Sequence, residues 1–198
     1  MMPFNVLLDE YPEEYKGYPI NSDYRIGIQM IMAIQDPELT QREQGSVCAE
    51  LLFGGHEEFP DAQVMVDGIA WFLSGWAKER APEKKRESRD MDYDIDQWRI
   101  YSAFLSQYRI DLNTERMHFW RFMGLLTTLE ECAFTRVVGL RTEKIPKELK
   151  GEARKRYMEQ KRRYELEDPE SIEEQEERRR IVDEFLSKTT INRGNSNV

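Results

Sequence analysis

The chain is short of the residues that most often hold metals or do covalent chemistry. It has 2 histidines and 2 cysteines in 198 residues. Cys48 and Cys132 stand far apart among apolar neighbours, form no Cys-x-x-Cys pair, and read as reduced core thiols of a cytosolic protein. Long hydrophobic runs are also missing: nothing approaches the roughly 20 apolar residues that span a bilayer. The opening Met1-Met2-Pro3-Phe4-Asn5-Val6-Leu7-Leu8-Asp9-Glu10 has no basic n-region and no long apolar core, so it does not read as a secretory signal. Apolar residues are scarce overall. They make up 39% against 34% charged, where an average soluble domain has roughly 45–50% and about 25%.

What the chain does have is charge, unevenly placed. The formal net charge is −9; residues 1–146 hold 16 Lys+Arg and 25 Asp+Glu, whereas residues 147–198 hold 13 of each. This division predicts one compact acidic body over 1–146, then a charged helical extension over 147–187 and a disordered tail over 188–198. An acidic body argues against a general phosphate-binding surface, so no nucleic acid is expected as partner, and no membrane either. About 145 residues suffice for one sizeable core.

The pattern along the chain predicts a mainly α fold with a small N-terminal β-hairpin. Phe4–Leu8 and Tyr15–Ile20 are β-prone runs around an acidic, Pro-containing turn, which places the hairpin at about 4–20, with Pro19 at an edge. Asn21, Ser22 or Asp23 can cap a helix carrying Tyr24, Ile28, Ile31 and Met32 on one face, and Asp36-Pro37 stops it. Thr40-Gln41-Arg42-Glu43 has capping-box spacing ahead of Val47, Cys48, Leu51 and Leu52, and Gly54-Gly55 ends that helix. Pro60-Asp61 starts another. Residues 78–89 have almost no apolar content and are expected to be a mobile connection.

The most apolar part follows. Ile95, Trp98, Tyr101, Leu105 and Tyr108 recur at helical intervals from about Asp94 to Tyr108. A second helix is predicted from about Glu115 to Leu140, apolar around most of its circumference and therefore the central spine. Pro146 opens two charge-rich helices, Lys147 to Glu167 and Ile172 to Leu186.

Candidate chemistry is thin at every point. Asp90, Asp92, Asp94 and Asp96 alternate like metal ligands, yet an EF-hand starting at Asp90 would need glycine at Ile95 and glutamate at Tyr101. Acid gathered at a helix start explains the run better, so no metal and no cofactor is expected. His118 has no histidine or cysteine at i+4 and reads as a packing, hydrogen-bonded residue; His56 reads as loop. Ser74 lacks a nucleophile elbow, and Gly54-Gly55 lacks the Lys-Ser/Thr of a phosphate loop. The basic clusters Lys84-Lys85-Arg86, Lys161-Arg162-Arg163 and Arg178-Arg179-Arg180 are flanked by glutamates and read as solvated helix faces. No enzyme is expected, and no catalytic residue is named.

Aromatics are the one pointer to function. The chain has 4 Trp, 9 Tyr and 9 Phe, and with little aliphatic material to cover them some are expected to form an exposed patch for a partner. The contact surface is placed around Trp98, Tyr101, Phe119 and Trp120, with core packing as the competing role.

The order of segments carries a resemblance. Gly17-Tyr18-Pro19-Ile20-Asn21-Ser22-Asp23-Tyr24-Arg25 resembles the "G-x-x-Y-x-I-x-T-D-F-R" opening of a phage family. Asp92 to Phe104 and Tyr108-Arg109-Ile110-Asp111-Leu112 look like its central "D…I-Y-x-A-F…Y-G-I-D-L". Met117-His118-Phe119-Trp120-Arg121-Phe122 with Leu125-Leu126 resembles "L-H-W-W-x-F…L-L", and Lys155 to Leu166 is similar to the basic helix closing many members. The chain is thus similar to the bacteriophage "gene product fifteen" family from about Phe4 to Leu166. It departs at Ser22 for Thr, Phe119 for the first Trp, and Arg109 for Gly; Arg109 suggests a helix continuing one residue without a glycine break.

The resemblance implies a role. The family has no established enzymatic activity, and its genes lie between those of the tail tube and the tape-measure protein. That position resembles that of tail assembly chaperones, which bind the tape-measure protein and are absent from the finished virion. Expected partners are therefore the tape-measure protein, a second copy of the chain and an adjacent tail chaperone, all in the bacterial host cytoplasm. A holder of an aggregation-prone helical client would want adaptable aromatic and Met groups inside an acidic surround. The competing expectation is an acidic inhibitor of a host defence nuclease that imitates nucleic-acid charge. Interspersed Arg42, Arg99, Arg116, Arg121 and Arg136 weigh against it.

Overall fold

A computed structural model describes residues 4–55, 59–77 and 90–166. The connection expected at 78–89, the helix at 172–186, the tail and His56 lie outside the described residues. The fold is mainly helical with one two-stranded antiparallel hairpin, β1 (Glu14–Tyr15) and β2 (Tyr18–Pro19). Seven α-helices are described: α1 (Tyr24–Gln35), α2 (Gln41–Phe53), α3 (Ala62–Ser74), α4 (Gln97–Ala103), α5 (Phe119–Thr127), α6 (Ala133–Thr142) and α7 (Gly151–Tyr164). None is long and apolar enough to cross a membrane among the described residues.

The hairpin is tighter than the 4–20 expected. Lys16 (φ 51°) and Gly17 (φ 86°) both sit in the left-handed region, the two-residue turn whose twist matches antiparallel strands. Phe4–Leu8 is not its other strand. The Leu8 and Asp9 amides donate to the Asn5 carbonyl and close a separate turn. Phe4 and Tyr11 anchor that turn, Phe4 edge-on to Trp120 at 4.9 Å and Tyr11 stacked on His118 at 5.0 Å.

Caps fall where polar side chains precede apolar runs. Asp23 starts α1 by accepting from the Arg25 amide. Thr40 and Glu43 form the reciprocal capping box of α2, and Asp61 accepts from two amides of α3. His118, the N-cap of α5, pairs with Asp23 in an isolated antiparallel bridge. The Tyr24 amide donates to the Met117 carbonyl and the Phe119 amide to the Ser22 carbonyl, so α1 and α5 start side by side.

Two apolar clusters meet on α1 and α5. One joins Tyr15, Ile20, Met30, Cys48, Leu52, Phe53 and Phe72 to Phe119 and Trp120. The other joins Tyr24, Ile100, Phe104, Met117 and Phe134 to Phe122 and Leu126, and Met123 packs against both. The central apolar helix is therefore real but short. The predicted span from Glu115 to Leu140 divides into α5 and α6, because Thr127 and Thr128 turn their hydroxyls back onto the carbonyls of Met123, Gly124 and Leu125. Cys132 then begins α6, its amide donating to the Thr135 hydroxyl at 2.8 Å. Cys132 is thus a half-exposed cap residue, while Cys48 is the core thiol that was expected, with burial raising its pKa.

The helix containing Trp98 ends unexpectedly. After α4 it widens into a π-helical turn, Phe104–Tyr108, and closes at Arg109 with φ 60°. Arg109 does not extend the helix; it takes up the left-handed position that glycine fills most easily. The last described helix has no buried residue, as its charged composition suggests, yet it is docked. Lys161 Nζ donates to the carbonyls of Leu140, Arg141 and Glu143, and Leu166 is buried, so α7 is strapped along α6.

Candidate partner-binding groove

The four aromatics named from sequence separate into two pairs. Phe119 and Trp120 are buried on α5, with Phe119 ring to ring with Phe72 at 5.2 Å and Trp120 Nε1 donating to the Phe72 carbonyl at 2.7 Å. They are core, and their place on a contact surface is corrected accordingly: the start of α5 packs against Gly27 of α1 and Phe72 of α3. Trp98 and Tyr101 remain. Trp98 is 72% exposed and meets Tyr101 edge-on at 5.9 Å across one helical turn of α4. Trp71 and Trp76 pack against the first cluster, which leaves Trp98 as the tryptophan presented to solvent.

Around that pair lies a groove of about 310 Å³ between α1 and α4. Tyr24, Ile100 and Phe122 form its buried floor, with Ile28 and the exposed Met32 of α1 facing Trp98 and Tyr101. Met32 had a place on the apolar face of α1 in the sequence, but the pattern alone gave no sign that this end of the face is left open. The floor is held rigidly. Tyr24 Oη donates to the Leu112 carbonyl at 2.6 Å and its ring stacks on Phe122 at 4.9 Å. Arg25 donates to the carbonyls of Leu112 (2.7 Å) and Glu115 (3.1 Å) while its guanidinium lies over the Tyr24 ring. Tyr93, at the edge, is buried deeply enough for desolvation to push its phenol up to about 12. Desolvation, with Asp111 nearby, also raises the Tyr101 phenol. All three tyrosines are neutral at physiological pH, so the groove is apolar and aromatic, with the carboxylate of Asp94 on its rim.

The start of α4 is fixed by the last of the four alternating aspartates. Asp96 is wholly buried, and its carboxylate accepts from Arg141, Arg99 (2.8 Å) and the Asp92 amide (3.1 Å). Burial pushes its pKa up, but these donors outweigh it and hold the carboxyl below the ordinary range. Asp92 closes a turn by accepting from the amides of Asp94 and Ile95. The run is thus a helix entry built on an ion pair. Among the described residues no group of three or more His, Cys, Asp or Glu is placed to hold a metal ion. The sequence signalled acid at a helix start but not the arginine that receives it.

His118 has both ring nitrogens engaged. Nδ1 accepts from the Trp120 amide at 3.0 Å, which assigns the proton to Nε2, where it bonds the Pro12 carbonyl at 3.0 Å. Burial lowers its pKa, so the ring is neutral and acts as a cap and a packing surface.

No curated protein and no solved structure matches this chain. A family model does, over the stretch that holds the groove, the Asp96 cluster and both apolar cores. It is the model described as "Bacteriophage Gp15 protein", it matches residues 7–166, and the chain belongs to that family.

Proposed function

We propose that this phage protein is a non-enzymatic tail assembly chaperone that binds the tape-measure protein during tail morphogenesis through the Trp98 groove. The observation that carries the reading is the exposure of Trp98 beside Tyr101 and Met32, over a floor already pinned by the part-buried bonds of Tyr24 and Arg25 to the Leu112 carbonyl. A rigid aromatic anchor in a preformed apolar groove suits one face of an amphipathic helix. A methionine at the open edge lets the groove adapt to successive helical segments of a long client. Under this reading the protein works in the bacterial host cytoplasm and leaves before the virion is complete.

Co-expression with the tape-measure protein of the same phage tests the proposal. The client should become soluble and co-elute with the chain, and Trp98→Ala should weaken that complex markedly while leaving the fold intact. Unchanged client solubility with the wild-type chain, or a complex indifferent to Trp98→Ala, overturns it.

A further inference from the structure

A second exposed apolar feature lies away from the Trp98 groove. Val6, Leu7 and Leu8 are 58%, 86% and 82% exposed, yet the turn that carries them is ordered rather than loose. The Asn5 amide donates to Asp9 Oδ2 at 2.7 Å, Asn5 Oδ1 accepts from the Leu7 amide at 3.1 Å, and Phe4 and Tyr11 pin both ends to the core. Three neighbouring aliphatic side chains held outward in a fixed turn cost solvation in the isolated chain and fit a role in contact. Residues 4–15 carry four carboxylates, Asp9, Glu10, Glu13 and Glu14, and no lysine or arginine.

The complement of this prow is on the same molecule. A groove of about 830 Å³ runs between α6 and α7, its apolar wall formed by Val137, Leu140, Tyr157 and Tyr164. Helix α7 carries six basic side chains and two acidic ones. At helical spacing Arg156 and Arg163 border the face that bears Tyr157 and Tyr164. Both arginines are exposed. The groove has two acids in its lining, Glu131, within 3.6 Å of Arg136, and Glu143, and Arg156 is itself within 3.9 Å of the exposed Glu152. The six bases of α7 against its two acids still leave that side of the groove positive.

The geometry points to self-association in which the Val6-Leu7-Leu8 prow of one copy enters the α6–α7 groove of a second, with Asp9 and Glu10 set against Arg156 and Arg163. The two surfaces are different patches of one chain, so the contact is heterologous, and each bound copy still offers a free prow or a free groove to the next. Such a contact builds a row of copies, one Trp98 groove per copy, and it needs no client to form.

Sedimentation velocity of the full-length chain over a concentration series tests this. The wild-type chain should associate with concentration and dissociate as salt rises, because the flanking pairs are solvent-exposed and screened. Leu7→Asp/Leu8→Asp and Arg156→Glu/Arg163→Glu should each sediment as monomers, with unchanged helical content because all four side chains are exposed. An equimolar mixture of the two variants should form a dimer that extends no further, since only one intact prow and one intact groove can meet. A wild-type chain that stays monomeric, a variant that associates like wild type, or a mixture that stays monomeric overturns the assignment.

Discussion

Arg141 and Asp96, 45 residues apart in the chain, form a buried forked ion pair, with Nη1 donating to Oδ2 at 2.5 Å and Nη2 to Oδ1 at 3.2 Å. The same guanidinium reaches the Asp90 carbonyl at 3.3 Å and, through Nε, the Tyr164 carbonyl at 2.7 Å. One side chain on α6 thereby ties the entry of α4 to the end of α7.

Removing Asp96 leaves Arg141 as an uncompensated buried charge, which costs about 3–5 kcal/mol, so Asp96→Ala should lower stability in urea titration by that amount. Arg141→Ala should cost less, because Arg99 and the Asp92 amide still bond the Asp96 carboxylate. The double replacement Arg141→Met/Asp96→Leu should recover most of it, because no charge is then stranded. The acid limb follows the same pair. The folded-state pKa of Asp96 lies below its unfolded value near 3.9, so its contribution is complete above about pH 4 and is lost as pH falls through the folded value.

Gly27 shows where packing admits no side chain. A Cβ built there falls within 2.5 Å of the Phe119 ring, at the crossing of α1 and α5. Gly27→Ala should cost at least about 1–3 kcal/mol, since either the helices separate or the ring leaves its pocket. Gly45, in α2, has open space around it and should behave oppositely. Gly45→Ala should stabilise by roughly 0.5–1 kcal/mol through the reduced entropy of the unfolded chain. Paired thermal melts check both signs.

Arg109 marks a limit of what the sequence could show. Caps were legible because Asp23, the Thr40–Glu43 box and Asp61 act on amides two or three residues away. The π-helical turn before Arg109 was not. It depends on the Gln107 side chain bonding the Glu130 amide at 2.9 Å and on Tyr108 Oη donating to the Leu125 carbonyl at 2.9 Å, both distant in sequence. The division of the long apolar stretch into α5 and α6 was hidden similarly, because helical periodicity runs straight through Thr127 and Thr128. The candidate groove was half legible: Trp98 and Tyr101 share a helix face, but periodicity cannot separate an open face from a covered one, and Phe119 and Trp120 looked equivalent to them. Arg109→Gly should raise stability by about 1 kcal/mol in chemical denaturation, by relieving the left-handed backbone.

His118 predicts a shallow pH dependence at mild acidity. Its folded pKa is depressed by burial, so the unfolded chain takes up a proton first as pH falls. Stability should be complete above about pH 6.5 and decline below it, through the folded value. His118→Asn keeps a capping side chain but loses the Tyr11 stack and the Pro12 bond, so it should cost about 1–3 kcal/mol at neutral pH, and it should flatten that decline. Urea midpoints of the two proteins between neutral and mildly acidic pH provide the comparison.

Trp98 and Trp120 separate stability from binding within one residue type. Trp120 is buried, edge-on to Trp71 at 5.0 Å, and bonded through Nε1. Trp120→Ala should therefore cost about 3–5 kcal/mol and, under the proposed function, lose client binding only as a consequence of unfolding. Trp98 touches Tyr101 at its edge and otherwise meets solvent, so Trp98→Ala should change stability by less than about 0.5 kcal/mol. If Trp98 anchors a partner helix, the same change should remove at least about 2 kcal/mol of binding, roughly a thirtyfold weaker complex. A calorimetric titration against a tape-measure fragment, beside a melt of each variant, reads both quantities. Trp98→Phe is the informative intermediate: it keeps an aromatic face in the groove and should retain most of the affinity. An equal loss for Phe and Ala would mean that the contact depends on the indole N–H, and the partner would then have to present an acceptor opposite it.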